Sequence, residues 1–122
     1  MPGITTAGLD GALEVLDGTL YISVHDGAPG GGATNEAAVT RQTTTFAAPG
    51  DYGVGGRSRT NASEVLFEDV AAGTYEAWSV WTAATGGTCL WVVPFADNRT
   101  LSAGDDLRLP ANGLECRIEP SA

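Results

Sequence analysis

Trp78-Ser-Val-Trp81-Thr-Ala-Ala-Thr-Gly-Gly-Thr-Cys-Leu-Trp91 holds every tryptophan of the chain, and its reading decides the fold class. Two runs of β-branched and aromatic residues flank Thr85-Gly86-Gly87, the pattern of two strands joined by a tight turn. Side chains alternate along a strand, so Trp78 shares a face with Val80 and Thr82. Trp81 lies on the other face with Ser79, Ala77 and Tyr75. The expectation is that two tryptophans fill a sandwich interior and an N-terminal helix covers the third. The competing reading is an exposed ring that stacks on a sugar or a protein partner.

The alternation extends outward from this hairpin. Leu20, Ile22 and Val24 interleave with Tyr21, Ser23 and His25. Further strand candidates are Val39–Phe46, Glu64–Val70, Thr74–Thr82, Thr88–Phe95, Thr100–Leu101 running into Asp106–Leu109, and Leu114–Ile118. Ala72-Gly73, Ala103-Gly104-Asp105 and Asn112-Gly113 supply short turns between them. About seven short strands at this spacing predict an all-β chain, an antiparallel β-sandwich or barrel-like sandwich. Residues 1–122 suffice for one domain with a core of its own. Pro94 marks an edge position or a strand end, because it brings no N–H to a ladder. The one helical candidate is Thr5–Leu16, capped by Thr5 or Thr6, with Leu9, Ala12, Leu13 and Leu16 on one face and Asp17-Gly18 ending it.

Two segments fall outside the strands. Asp26–Asn35 is a glycine-rich loop with nothing to pack, and Ala47–Asn61 reads as a long excursion carrying Gly50, Gly53, Gly55 and Gly56. Loops of this length in a small domain serve a function or remain solvated. Within the second, Tyr52, Arg57 and Arg59 are the candidate partner contacts, being residue types enriched at interface hot spots.

Charge narrows the ligand classes. Fifteen Asp and Glu oppose six arginines, there is no lysine, and the formal net charge is −9. Such a surface repels nucleic acid and anionic membranes, so neither is an expected partner. No apolar run reaches membrane-spanning length. The opening Met-Pro-Gly-Ile-Thr-Thr lacks the regions of a secretory signal, which predicts synthesis in a cytoplasm. On that basis the sequons at Asn61 and Asn98 carry no meaning.

No arrangement of residues announces catalysis. His25-Asp26 puts a base beside a carboxylate, but no nucleophile or metal set accompanies it, and a structural histidine is the better reading. Gly30-Gly31-Gly32 lacks the residues that follow a phosphate loop and reads as a flexible connector. Glu68-Asp69 and Asp105-Asp106 lack the spacing of a calcium loop. Cys89 and Cys116 read as buried free thiols, with a disulfide as the alternative if their strands are sheet neighbours; with one distant His they do not make a zinc site. The expectation is a protein that is not an enzyme and carries no metal and no cofactor.

Three blocks in order resemble a family of small tailed-phage virion proteins, which are tail-fibre-like and akin to head decoration proteins. The first is Leu20-Tyr-Ile-Ser-Val-His25-Asp-Gly-Ala-Pro29-Gly30. The second is Asn35-Glu36 followed by Thr40-Arg41-Gln42. The third is Ala83-Ala-Thr-Gly-Gly-Thr88-Cys-Leu-Trp91 with the later Ser102-Ala-Gly-Asp105-Asp-Leu. Thr82 stands where the family often has Asp, and the insert around Tyr52–Arg59 is particular to this chain. The resemblance implies a virion structural protein, present in many copies and bound to other virion proteins such as the major capsid protein or tail proteins. Capsid decoration is the first expectation. A minor tail or tail-fibre protein that binds host-surface carbohydrate is the rival. Asp26–Asn35 and Pro49–Arg59 are the segments expected to make contacts.

Overall fold

The computed structural model describes residues 6–52 and 56–118. Among these, one short helix precedes nine strands, and every strand pairing is antiparallel. The largest sheet runs in the order β2 (Gln42–Thr44), β1 (Leu20–His25), β6 (Gly73–Trp81) and β7 (Cys89–Leu101). A second sheet orders β3 (Gly50–Tyr52), β4 (Gly56–Thr60) and β9 (Glu115–Ile118). The third pairs β5 (Val65–Phe67) with β8 (Leu107–Leu109). Ile22, Val24, Trp78 and Val80 from the first sheet join Cys116 from the second and Phe67 and Leu107 from the third in one apolar cluster. The all-β, sandwich-like class expected from alternation is the class observed.

Several boundaries differ from the sequence reading, each for a physical reason. Ala47–Asn61 is not a loop: it contains the β3–β4 hairpin, with Asp51 opposite Arg57 and Tyr52 opposite Gly56. Ser58 and Arg59 are buried there, so polar residues occupy positions that strand patterns reserve for apolar ones. β7 runs past Pro94 to Leu101, because Thr74 and Tyr75 of β6 pair with Thr100 and Arg99. The ladder shifts register between Tyr75 and Ala77, which absorbs the strand's polar middle. Pro94 nevertheless lies on a sheet edge, as its missing N–H requires. β2 shrinks to three residues, followed by an isolated bridge from Phe46 to Asn61.

The helix α1 is Thr6–Leu13, continued by a 3-10 turn over Glu14–Leu16. Leu13 and Leu16 are fully buried, whereas Ala12 is exposed and does not belong to the packed face. Thr5, one of the two capping candidates, lies outside the described residues. The helix docks on β4 and not on a tryptophan, which corrects the expectation that it covers one of the rings. Trp78 is in the core, Trp91 packs half-buried against it, and Trp81 is buried on the opposite face of the sheet.

Asn61 is fully buried, its amide nitrogen donating to Ser63 O and Pro110 O at 2.8 and 3.0 Å. Its Oδ1 accepts from the Leu114 N–H at 2.8 Å. The first sequon is thus an internal brace, closed to any modifying enzyme while the fold persists.

Candidate functional site

Two regions flank the tryptophan sheet, and they are built in opposite ways. The first lies on the face that carries Trp81. Tyr21, Ser23 and His25 of β1 stand beside Trp81, Ser79 and Ala77 of β6, and Cys89 of β7 stands beside Trp81. His25 is fully buried; its Nδ1 is 2.8 Å from Thr34 O and its Nε2 is 2.8 Å from Ser79 Oγ. A carbonyl only accepts, so Nδ1 carries a proton, and in that tautomer of the imidazole Nε2 accepts from the serine hydroxyl. Ser79 Oγ in turn accepts from Trp81 Nε1–H at 2.7 Å. Both nitrogens of the histidine are therefore committed to structure, in keeping with the reading of a structural residue.

Arg41 closes the same region. Its Nε and Nη2 donate to the two oxygens of Glu36 at 2.8 and 3.0 Å. Its Nη1 donates to Ala83 O and Gly86 O at 2.9 and 2.8 Å, and its guanidinium lies 3.9 Å over the Trp81 ring. Glu36 also accepts from Ser23 Oγ at 2.6 Å. The Arg41 hydrogen bonds, aided by Ser23, hold the Glu36 carboxyl below the ordinary carboxylate range against the opposing effect of burial. Gly32, at φ +102°, packs where any side chain would meet the Cys89 sulfur. Gly32 is buried and Thr34 O is tied to His25, so Asp26–Asn35, though mostly exposed, is anchored and not the free connector expected from its glycines.

The sequence candidates Tyr52, Arg57 and Arg59 lie on the β3–β4 hairpin. Arg57 holds α1, donating to both oxygens of Asp10 at 2.7 and 3.1 Å and to Asp51 at 2.7 Å. The Asp10 pairing, with Asp51 adding, raises its pKa. Arg59 is buried, and four of its bonds reach this chain's own Leu13 O, Asp17, Ala47 O and Phe46 O. Arg59, a candidate partner contact from the sequence, lies inside the fold as a clamp on the helix end. Tyr52 pairs through its backbone with Gly56.

The second region lies along the outer edge of β7, where sequence reasoning singled out the tryptophans, Pro94 and the Asn98 sequon but no contact site. A cleft of about 570 Å³ separates that edge from β9, with Trp91, Pro94, Glu115 and Arg117 among its walls. A neighbouring cleft of about 370 Å³ is lined by Trp78, Phe95, Asp97, Asn98 and Arg99, and the two share Gly113. Phe95 lies 4.7 Å from Trp78 between ring centroids, and Trp78 stacks on Phe67 at 6.0 Å. A column of rings therefore rises from the core to the floor of this trough. Glu115 accepts from Ser58 Oγ at 2.9 Å and pairs with Arg117 at 3.9 Å, while Arg99 enters no ion pair among the described residues.

The remaining sequence candidates take structural roles. Asp106 accepts from the Asp69 N–H at 3.1 Å and Asp105 from the Ser102 N–H at 2.9 Å, each closing a turn. Both thiols are free; Cys89 is half-buried, and burial pushes the Cys116 thiol up to about 12.

The profile of the family described as Podophage GP4 fiber I protein gp80 matches residues 14–117. No curated protein matches the chain.

Proposed function

This chain belongs to the Podophage GP4 fiber I protein gp80 family, a tail-fibre-like group of phage structural proteins, and we propose that it serves the virion as a non-enzymatic fibre module. The family description is the observation that carries the fibre reading over capsid decoration. Partners are other virion proteins, and no cofactor takes part. The net charge of −9 supports this role by keeping copies soluble and apart until a specific contact captures them. The clasped loop and turn around Arg41 add a firm, pre-ordered surface, which lowers the ordering cost of docking.

Gold-labelled antibody against the chain, applied to purified particles, tests this reading. Label on the tail fibres, lost when fibres are sheared off, is the expected result. Label spread over the head shell overturns it in favour of decoration.

A further inference from the structure

We propose that the trough along the outer edge of β7 binds an uncharged polysaccharide, built of neutral hexoses, through stacking on Trp91 and Phe95. The inference deepens the fibre reading, on which it rests only for where such a ligand would be met.

Three observations select this occupant. The first is aromatic: Trp91 and Phe95 are only partly buried, both pack against the core, and Phe95 ends a ring column that runs through Trp78 to Phe67. A sugar ring offers a C–H face of matching size and hydroxyls around its rim, and rigid aromatic faces bind such surfaces at little entropic cost.

The second is charge. In a chain of net charge −9, the trough sets Arg99 and Arg117 against Asp97 and Glu115, so its lining cancels locally. An acidic polymer would be repelled by the rest of the surface, and a basic one would meet two guanidinium groups. A neutral polyol, which both donates and accepts hydrogen bonds, matches guanidinium donors and carboxylate acceptors lying side by side. Asn98, which also lines the trough, supplies both functions in one side chain.

The third concerns the edge itself. A protein segment adding a strand to β7 would need a continuous row of outward N–H and C=O groups. Pro94 interrupts that row in the middle of the trough, so recognition falls to side chains.

The test is a titration of the full chain, followed by tryptophan fluorescence and calorimetry. The panel comprises α-glucan, β-glucan, mannan and galactan oligomers, with hexuronate oligomers as the acidic arm. At least one neutral oligomer is expected to bind saturably. Trp91→Ala should weaken that binding by about tenfold or more, the scale of one lost aromatic stacking contact. Trp91→Phe should retain most of it. Arg99→Ala, at an exposed position that leaves folding intact, should weaken it severalfold. Arg108→Ala, outside the trough, should change nothing. Binding by no neutral oligomer, or by hexuronates alone, overturns the proposal. So does undiminished binding by a folded Trp91→Ala or by Arg99→Ala. Because the isolated chain is measured, failure here leaves the particle-labelling result standing, and the converse also holds.

Discussion

On one side of the tryptophan sheet Arg41 makes four hydrogen bonds and a ring contact; along its open edge Arg99 makes no ion pair among the described residues. Both residues sit beside aromatic rings in the same small fold. The four Arg41 hydrogen bonds all stay within this chain, and among the described residues no buried side-chain polar atom lacks a partner. Around Trp91 and Phe95 the chain leaves rings only partly covered. The contrast teaches where to look for function in this fold. An arginine that is fully satisfied internally maintains a shape, and one that is not offers a contact.

Substitutions that disturb the first region should cost stability, and those in the second should cost binding alone. The largest effect is expected from Arg41→Ala, which abandons the Glu36 carboxylate and two loop carbonyls. Its cost is about 3 kcal/mol in urea unfolding, the scale of losing a partly exposed ion pair together with two charge-assisted bonds to loop carbonyls. A cost near zero would erase the distinction between the two regions. Gly32→Ala comes next, at about 2 kcal/mol, because its positive φ resists a side chain and the new methyl meets Cys89. Adding Cys89→Ala should recover only part of that loss, leaving the backbone strain.

Glu36→Gln should cost about 1 kcal/mol near neutral pH, the net worth of a charge-assisted bond in a partly exposed pair. Its carboxyl is held below the ordinary range by Arg41, so its contribution is complete above the unfolded carboxylate range. That contribution fades as pH falls through the lowered value. The gap between parent and variant in thermal melts should therefore close on acidification; a gap that widens would sink the assignment. Smallest of all, Arg99→Ala should change stability by no more than about 0.5 kcal/mol while it weakens the sugar titration. A large loss of stability there would show that the second region is structural too.

Much of the fold was legible because aliphatic side chains alternate with polar or aromatic ones along β1 even though both of its faces are largely buried. Leu20, Ile22 and Val24 read correctly, as did the assignment of Trp78 and Trp81 to opposite faces and of Pro94 to an edge. The β3–β4 hairpin was not legible, since Ser58 and Arg59 are buried where apolar residues would have announced a strand. Arg59 succeeds there only because its partners come from the end of the helical segment and from the stretch between β2 and β3, which a local pattern cannot show. The trough was hidden for a related reason. Trp91 and Phe95 stand on β7, while Glu115 and Arg117 come from β9, so nothing in sequence proximity joins them. The three blocks behind the family resemblance proved more informative than their separate motifs suggested. His25, Glu36 with Arg41, and the Ala83–Gly86 turn meet in one cluster.

The bonds from Trp81 to Ser79, from Ser79 to His25, and from His25 to Thr34 all donate in one direction. That polarity has a kinetic side. The glycine-rich loop is anchored through His25 to a serine 54 residues further along the chain. Its final shape therefore waits on a long-range pairing of β1 with β6, whose closure entropy must be met first. The loop is expected to acquire amide protection late in refolding, after the central strands and in step with the burial of Trp81.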